Sequence, residues 1–449
     1  MAALDKGIIR EWKCMICGEI VRGVEPPEQC PVCGVGKDKF VEVTSSLEFK
    51  SDKKEKILIL GGGIAGFSAA EAARKRNSQC DIEIVSDEEV FCYNRPMLTK
   101  GLIAEFDADK FFSKQLDWYE ENNVKFTLGT KVSKIDGAGK VVTFENGESR
   151  EYDKLIYALG AESNKIPLKG ADLPEVYVIR KLADANAIRE KMDAIEKVVV
   201  IGGGILGIEA AWEFTRAGKK VSVLDIGPRI MGRQLDLDGS DMLVRAMEKA
   251  GSVVMTGVSI DEITGTDKAT GVKLNDGTMI EGDMVIISAG IKTNVNIGLE
   301  AGLEGDRFIS VNDHMETSVK DIYACGDVAA CGGVSIGIWS QADAMGKVAG
   351  ANCVGDNVVY EGIVPSTSFI GYDTAIFSIG DVGSNPDLEY QIRMTGNTGD
   401  VKFAKLYFLD DKLCGGMLFG CTEKTVELLH VYEEKVAIDD ERIYHILDL

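Results

Sequence analysis

The strongest constraint on the fold is a glycine motif, Gly-x-Gly-x-x-Gly, that occurs twice and each time joins an apolar run to a helix-like segment. In such a turn the first glycine permits a tight bend, the second lets the backbone approach a pyrophosphate, and the third packs the helix against the strand. Because the copies lie about 140 residues apart, they predict two dinucleotide-binding domains. The glycines are Gly61, Gly63 and Gly66 in the first copy and Gly202, Gly204 and Gly207 in the second.

Each motif belongs to a βαβ pattern whose second strand is followed by an acidic residue, Asp87 in the first copy and Asp225 in the second. A carboxylate here accepts hydrogen bonds from ribose hydroxyls and repels a 2′-phosphate, so Asp225 favours NADH over NADPH. Arg229, four residues on, makes that preference less strict. The alternative for each glycine motif is a glycine-rich turn that serves packing alone. The alternative for Asp225 is a solvated residue at the end of a strand. The strands are predicted at 57–60, 82–85, 198–201 and 221–224, and the helices at 67–75 and 208–217.

Four of the eleven cysteines form two Cys-x-x-Cys pairs near the start of the chain. Two such pairs supply four thiolates with the spacing of a tetrahedral site for a soft metal. A module this small also needs the metal in order to fold. The cysteines alone leave a structural zinc ribbon and a one-electron iron centre open. The predicted ligands are Cys14, Cys17, Cys30 and Cys33.

Charge and composition exclude some classes of function. A formal net charge of -22 over 449 residues disfavours nucleic acid and anionic membrane surfaces as partners. No apolar run of about 18 residues predicts a transmembrane helix, and the start of the chain lacks the apolar core of a signal peptide. We therefore expect a cytoplasmic protein whose cysteines bind metal or stay reduced.

The order of these patterns predicts an α/β chain of four domains. We expect two Rossmann-like (ββα) dinucleotide-binding domains, a small N-terminal metal domain with four cysteine ligands, and a C-terminal α+β domain. The polar segment 44–56 is predicted to be a flexible linker that leaves the metal domain mobile. The predicted bounds are 1–48 for the metal domain, 54–164 with 290–355 for the first nucleotide domain, 165–289 for the second, and 356–449 for the C-terminal domain. Turns are predicted at 145–147 and 275–277, C-terminal strands at 374–379 and 401–409, and a last helix at 423–434.

Further segments resemble the pyridine-nucleotide disulfide oxidoreductase superfamily, and the resemblance extends over about 55–355. The run 317–327 is similar to that superfamily's second FAD fingerprint. The runs 157–160 and 288–290 are similar to the paired segments that join its two nucleotide domains. The resemblance implies FAD in the first domain, with Asp327 on the ribityl chain, and NADH in the second.

The cysteines near the expected flavin distinguish between branches of this superfamily. Outside the metal domain the sequence has no pair of cysteines separated by two or by four residues. NADH oxidases and NADH peroxidases carry a single active cysteine in a slot that Met97 occupies here. Cys92 lies five residues too early and is interpreted as incidental, with a redox-sensing thiol as the alternative.

The segment 93–100, Tyr-Asn-Arg-Pro-Met-Leu-Thr-Lys, resembles a signature shared by NADH–rubredoxin reductases and apoptosis-inducing factor. The resemblance places Arg95 on the FAD pyrophosphate. It also places Lys100 near the flavin ring, paired with Glu209, and these two are the expected catalytic residues. A cation beside the flavin stabilises its reduced, anionic form, which suits an electron donor.

Carried over position by position, the resemblance assigns a set of contacts to each nucleotide. The expected FAD contacts are Gly61, Gly63, Ala65, Gly66, Asp87, Arg95, Lys100, Val132, Ala158, Gly160, Gly326 and Asp327. The expected NADH contacts are Gly202, Gly204, Leu206, Gly207, Glu209, Asp225 and Gly290.

The metal domain resembles rubredoxin in the segments 12–18 and 26–33 and in the aromatic Phe40. Its short spacer between the cysteine pairs looks more like the rubredoxin-like domain attached to rubrerythrins. Beside a reductase that lacks redox cysteines, this resemblance favours iron over zinc.

Together these resemblances imply an NADH-dependent FAD oxidoreductase that passes electrons to its own iron centre, held by four cysteines, and on to an external redox partner. Rubrerythrins and flavodiiron proteins of anaerobes are the acceptors that the resemblance suggests. One alternative is an NADH oxidase, or a reductase of small acceptors, with a structural zinc site. The other is a redox-sensing interaction protein similar to apoptosis-inducing factor. The oligomeric state stays open.

Overall fold

The computed structural model describes residues 10–16, 20–30, 34–43, 49–399 and 401–448. Two five-stranded parallel sheets form the centres of two α/β domains, and a five-stranded antiparallel sheet forms the C-terminal domain. A small three-stranded antiparallel sheet lies near the N-terminus, and its strands in sheet order are Ile20–Gly23, Arg10–Cys14 and Phe40–Glu42. This architecture confirms the predicted α/β fold class. Within the described part of the chain, no helix is long and apolar enough to cross a membrane.

The first parallel sheet shares one hydrophobic core with two helices and a small antiparallel sheet. The central strand contributes an unbroken buried run, 57–60, as expected where both faces of a parallel sheet are covered. In sheet order the strands are Ile322–Ala324, Lys154–Tyr157, Lys56–Leu60, Asp81–Val85 and Val124–Thr127. The helices are Ile64–Arg76 and Trp339–Cys353, and the antiparallel strands are Val132–Asp136, Val141–Phe144 and Ser149–Glu151.

The second parallel sheet has the predicted ββα layering, which its central strand shows directly. Val198 and Val200 point into a core shared with helices, whereas Val199 and Ile201 point into a core shared with an antiparallel sheet. In sheet order the strands are Val176–Tyr177, Met284–Ile287, Lys197–Ile201, Lys220–Leu224 and Val253–Met255. The helices are Leu182–Lys191, Ile205–Arg216 and Leu237–Lys249, and the antiparallel strands are Ile260–Gly265, Ala269–Leu274 and Met279–Glu281.

Two short strands join the parallel-sheet domains. Ala161–Ser163, just after the first sheet, pairs antiparallel with Ile291–Thr293, just after the second. The segments 157–160 and 288–290 lead into these two strands, so the structure confirms that they are paired crossovers.

The C-terminal sheet packs one face against the second α/β domain and the other against its own helices and the N-terminal strands. The strands predicted at 374–379 and 401–409 are present, and so is the helix predicted at 423–434. The sequence does not predict the other three strands or the last helix. In sheet order the strands are Ser366–Gly371, Thr374–Gly380, Lys412–Phe419, Phe403–Leu409 and Gln391–Thr395, and the helices are Thr425–Glu433 and Glu441–Leu447.

Several shorter elements connect these layers. The helices are Ala108–Phe111, Leu116–Glu121 and Asn296–Glu300, and a two-stranded parallel sheet pairs Ile309–Val311 with Ala329–Cys331. The 3-10 turns are Lys37–Lys39, Arg95–Met97, Thr99–Gly101, Met192–Ala194, Gly326–Val328 and Thr422–Lys424.

The segment predicted to be a flexible linker is held along its second half. The Ser51 amide donates to the carbonyl of Arg76 (2.9 Å), and the Asn77 side-chain amide donates to the carbonyl of Lys53 (2.9 Å). Phe49 packs against the core of the first α/β domain. The flexible linker expected over 44–56 is therefore shorter, because its residues from 49 onward are fixed to the end of a helix; 44–48 lie outside the described residues.

Two helices of the first domain approach each other closely because glycines on one helix make room for the other's backbone. A Cβ atom built at Gly346 would lie 2.3 Å from the carbonyl oxygen of Ala65. At Gly350 it would lie 2.0 Å from the carbonyl oxygen of Ala69. This contact therefore holds the start of the helix that follows the first glycine turn.

We expect Gly350→Ala to destabilise the first domain by about 1–3 kcal/mol, because the new methyl group would overlap the Ala69 carbonyl. Thermal unfolding measures the loss. Gly399→Ala is the control, since Gly399 is exposed and a Cβ there meets no atom within 4 Å. Equal effects of the two substitutions would show that the helices do not need the close approach.

Candidate functional site

A cavity of about 640 Å³ lies at the carboxyl end of the first parallel sheet and reaches the second domain. All the predicted FAD contacts except Gly66 and Lys100 line it. Of the predicted NADH contacts, Leu206 and Glu209 line it as well. The structure thus brings the first nucleotide motif, the second FAD fingerprint and one helix of the second domain to one place.

The first glycine turn has the geometry that its motif requires. Gly61 has a φ of +116°, and a Cβ there would lie 2.1 Å from the Ala158 carbonyl oxygen. A Cβ at Gly66 would lie 2.0 Å from the Gly61 carbonyl oxygen. At Gly63, which lines the cavity, a Cβ would meet no atom within 4 Å. The outer glycines are therefore needed for packing, whereas the middle one leaves space for a ligand.

The second turn repeats this pattern. Gly202 has a φ of +110°, and a Cβ there would lie 2.2 Å from the Ser288 carbonyl oxygen. A Cβ at Gly207 would lie 2.0 Å from the Gly202 carbonyl oxygen, and at Gly204 it would meet no atom within 4 Å. Each turn leads into a helix N-terminus, which favours an anion. Both turns therefore fit a dinucleotide pyrophosphate.

The two acidic residues after the second strands differ in their partners. Asp87 pairs with Lys181 (2.6 Å) at the cavity. Asp225 accepts hydrogen bonds from the amides of Gly203 (2.5 Å) and Gly227 (2.6 Å), so it also shapes the turn beside it. Arg229 donates to the carbonyls of Gly232 and Leu235, both at 3.1 Å. Its guanidinium is therefore engaged within its own loop.

Two arginines at the cavity wall each pair with a carboxylate. Arg95 pairs with Glu88 (2.8 Å), and Arg180 pairs with Asp327 (2.8 Å). Sequence reasoning missed Arg180, although a charged residue directly after the apolar run 176–179 is a signal for a residue at a strand end. Other lining residues that it missed are Lys131, Glu162, Lys292, Asn294 and Trp339.

Of the predicted pair, Glu209 lines the cavity, whereas Lys100 is exposed and does not line it. The two residues lie on elements that pack together. The 3-10 turn Thr99–Gly101 packs on the helix Ile205–Arg216, and the Thr99 hydroxyl donates to the Glu209 carboxylate (3.2 Å). Burial raises the pKa of Glu209 to about 7, although the positive charge of Lys100 and the Thr99 hydrogen bond both lower it. Glu209 therefore changes its charge near neutral pH.

No cysteine is among the described residues that line the cavity. Cys92 is buried, and its sulfur lies 3.3 Å from the Ser113 hydroxyl. Cys325 is fully buried, and burial raises the pKa of its thiol to about 12. None of the described residues that line the cavity therefore supplies a thiolate nucleophile, and Cys92 as an incidental cysteine stays an interpretation.

Two of the four predicted metal ligands lie in the described region. Cys14 and Cys30 are both buried in the cluster that contains Phe40. Gly34, with a φ of +75°, donates its amide to the Cys30 carbonyl (3.0 Å). The sulfur atoms of Cys14 and Cys30 are soft donors, and their burial fits a thiolate-bound metal. Cys17 and Cys33 lie outside the described residues, within which no group of three metal-binding side chains occurs.

The fold and the cavity define a class of protein: a reductase with two nucleotide sites and no redox cysteine in the described wall of its cavity. The family model for pyridine nucleotide-disulphide oxidoreductases matches residues 55–349, and the chain belongs to this family. The chain is thus an oxidoreductase, and the family supports FAD and NADH as its cofactors. The rubredoxin-like domain of rubrerythrin matches residues 12–41, which confirms the predicted resemblance.

Individual proteins agree with this assignment. The chain is 37% identical over 334 residues to NADH-rubredoxin oxidoreductase of Clostridium acetobutylicum, covering 74% of this chain and 83% of that protein. It is 32% identical over 275 residues to rubredoxin-NAD(+) reductase of Pseudomonas putida, covering 61% and 71%. The crystal structure of NADH:rubredoxin oxidoreductase from C. acetobutylicum matches with a TM-score of 0.74 and 32% identity, covering 88% of this chain and 100% of that one.

The raised pKa of Glu209 predicts a pH-dependent stability. An unfolded glutamate titrates near about 4.3, so the folded chain holds the proton more tightly, and this stabilisation is lost as the pH rises to about 7. Glutamine imitates the protonated acid. We therefore expect the free energy of unfolding of the wild type to fall relative to that of Glu209→Gln between about pH 4.5 and 7.5, by at most about 3 kcal/mol, with a matching fall in the unfolding midpoint.

Thermal unfolding of the chain without bound nucleotides measures this difference across the pH range. Glu121→Gln is the control, because Glu121 is exposed at the end of a helix. A difference between wild type and Glu209→Gln that stays constant with pH would contradict the raised pKa.

Proposed function

We propose that this chain is an NADH-dependent oxidoreductase whose electrons leave through its own N-terminal metal domain. When bound, FAD accepts a hydride from NADH and releases electrons singly, and an iron centre with four cysteine ligands carries one electron at a time. The observation that carries the proposal is the union, in one chain, of a rubredoxin-like domain and a nucleotide cavity with no cysteine among its described lining residues. Such a reductase needs a one-electron exit, and a thiolate-bound iron supplies one.

The residues of the first domain suit FAD. The space at Gly63 lets the backbone approach the pyrophosphate, and Asp87 is placed for the adenosine ribose. Arg95 and Arg180 supply positive charge at the cavity wall, and Asp327 faces the same cavity from the second fingerprint. Binding would require Asp87 and Asp327 to exchange their present cationic partners for ligand hydroxyls.

The residues of the second domain suit NADH. Gly204 leaves the same open space beside a helix N-terminus. Asp225 directly follows the strand Lys220–Leu224, the position from which a carboxylate binds ribose hydroxyls in this type of fold. Arg229 is held by carbonyls of its own loop, so it is not poised for a 2′-phosphate. We therefore propose NADH rather than NADPH as the donor.

Lys100 and Glu209 supply the electrostatics beside the flavin. An ammonium group near the ring stabilises negative charge on the reduced cofactor. Glu209 opposes this effect when it is ionised and leaves it undiminished when it is protonated. Because its pKa lies near 7, the balance shifts within the physiological range.

The final acceptor is proposed to be an external redox protein, of which rubrerythrins and flavodiiron proteins are examples. The named relatives support this class, since two of them are reductases of rubredoxin. We propose iron rather than zinc at Cys14, Cys17, Cys30 and Cys33. Metal analysis decides between the two: stoichiometric zinc would favour an oxidase or small-acceptor reductase with a structural site.

Stopped-flow mixing with NADH tests the proposed route. We expect loss of the flavin absorbance followed by bleaching of a ferric-thiolate band. Cys30→Ser removes one ligand and should abolish the second phase while flavin reduction persists. A ferric-thiolate band that stays unbleached after the flavin is reduced would refute the proposal.

The two middle glycines allow each nucleotide site to be blocked separately. Because a Cβ at Gly63 or Gly204 meets no protein atom, valine there should fill ligand space without unfolding the chain. We expect Gly63→Val to lose bound flavin, and Gly204→Val to keep the flavin but raise the dissociation constant for NADH at least tenfold. Flavin content and NADH titration measure these effects. Normal NADH binding by Gly204→Val would show that NADH does not bind at the second glycine turn.

A further inference from the structure

The C-terminal domain reaches the loop that follows Asp225 in the second α/β domain. This loop, residues 226–236, leads from Asp225 to the helix Leu237–Lys249. Its apolar side chains are buried in one cluster with residues of the C-terminal sheet. The loop members of that cluster are Ile230, Met231 and Leu235, and the sheet members include Phe403, Met417 and Phe419. The position of the loop therefore depends on the C-terminal domain as well as on its own.

Two polar side chains of the strand Phe403–Leu409 anchor the end of the loop. The Lys405 ammonium group donates to the carboxylates of Asp236 (2.5 Å) and Asp238 (2.7 Å). The Tyr407 hydroxyl donates to the same oxygen of Asp236 (2.6 Å). Lys405 is 9% exposed, and Tyr407 is 3% exposed. A buried ammonium group is costly unless it is paired, so these bonds fix where Asp236 lies.

Asp236 connects this anchor to the helix and to the loop. Its other carboxylate oxygen accepts a hydrogen bond from the amide of Gly239 (2.9 Å) and so caps the helix Leu237–Lys249. The residue before it, Leu235, is buried, and its carbonyl accepts a hydrogen bond from Arg229 (3.1 Å). The anchor therefore fixes one of the two carbonyls that hold the Arg229 guanidinium.

The same loop contacts the second glycine turn. The Met231 amide donates to the carbonyl of Gly203 (2.7 Å), and the Gly203 amide donates to Asp225 (2.5 Å). A Cβ built at Gly203 would lie 2.7 Å from Cγ2 of Ile230. The loop, the turn and the acidic residue are therefore directly connected, and a shift of the loop reaches the proposed NADH site.

Arg229 is the residue of this loop that bears on the choice of nucleotide. An arginine close to the ribose-binding carboxylate can accommodate the 2′-phosphate of NADPH, which the carboxylate itself repels. In the structure its guanidinium donates instead to the carbonyls of Leu235 and Gly232, both at 3.1 Å. The conformation of the loop thus decides whether Arg229 is available to a 2′-phosphate.

We propose that Lys405 and Tyr407 are positioning residues that keep the second nucleotide site selective for NADH. They fix Asp236, which keeps the Leu235 carbonyl on Arg229 and so withholds the guanidinium from a 2′-phosphate. This inference deepens the proposed function and rests on it, because it assumes NADH as the donor at the second glycine turn. The selectivity of the site thus depends on side chains of another domain.

The test compares the binding of NAD+ and NADP+ to the full-length, flavin-containing chain by calorimetry. Lys405→Met removes the anchoring charge from the end of the loop. We expect the ratio of the NADP+ to the NAD+ dissociation constant to fall at least fivefold, because Arg229 is released. Lys402→Met is the matched control, since Lys402 forms an exposed ion pair with Glu423 of its own domain (2.6 Å). The control should keep the wild-type ratio.

Two further variants make the result specific. Arg229→Met in the Lys405→Met background should return the ratio to the wild-type value, because the released guanidinium is then absent. Tyr407→Phe removes a single hydroxyl group and keeps the ring, so it should lower the ratio by a smaller factor than Lys405→Met. It also provides a test if Lys405→Met fails to fold.

The ratios decide the outcome. An unchanged ratio in Lys405→Met and Tyr407→Phe, with the bound flavin retained, would overturn the proposal. A ratio that falls in Lys405→Met and stays low in the double variant would overturn it as well, because Arg229 would not be the group released. An equal fall in Lys402→Met would show that a general loosening of the C-terminal domain, and not the anchor, sets the ratio.

The proposed function fails in other measurements. A wild-type chain that binds NADP+ at least as tightly as NAD+ would contradict NADH as the donor before any variant is compared. A metal centre that stays oxidised after the flavin is reduced would contradict the electron route. The binding of oxidised nucleotides does not depend on that route, so the ratios would still decide whether Lys405 and Tyr407 set the selectivity.

Discussion

One close contact, made twice, sets the geometry on which both nucleotide sites depend. The first glycine of each turn lies against the carbonyl at the end of the neighbouring strand: Gly61 against Ala158, and Gly202 against Ser288. No side chain fits into either gap, so the backbone alone fixes how each turn meets the sheet. Because the same strand ends lead into the crossover pair, the contact also fixes how the two domains are joined.

The parts of the fold that the sequence predicts well are those governed by local chemistry. The glycine turns, the strands before them and the acidic strand ends are all found where the spacing places them, because φ values and apolar runs act within a few residues. The turn at Gly147 is a similar case, with a φ of +84° between two strands of a small sheet. The resemblance of the run 317–327 to the second FAD fingerprint also predicts that Asp327 belongs to the first nucleotide site. Asp327 is distant from Gly63 along the chain, and both residues line the same cavity.

The parts that the sequence does not predict depend on partners that are distant along the chain. Arg180 has no motif of its own, and its role becomes visible only through its contact with Asp327. The segment after residue 48 has the polar composition that is typical of a linker, but Ser51 binds a carbonyl at the end of a helix. A polar composition shows only that a segment is stable in water. Whether the segment is flexible or fixed depends on whether another element, here the end of a helix, offers it hydrogen-bond partners.

The two steps of the proposed pathway, hydride transfer between the nucleotides and electron delivery through the metal domain, depend on different parts of the structure. The helix Ile205–Arg216 begins at the second glycine turn and carries Glu209 into the cavity, about 8 Å along its axis from Gly204. A rigid element therefore joins the two nucleotide sites, and their relative position cannot vary much. The described part of the metal domain instead meets the C-terminal domain through contacts that include Ile16 with Ser366 and Lys39 with Glu423. Hydride transfer between two nucleotides requires a fixed geometry, and a helix that reaches from one site to the other supplies it. The proposed delivery of electrons to a second protein depends on the metal domain and not on this helix.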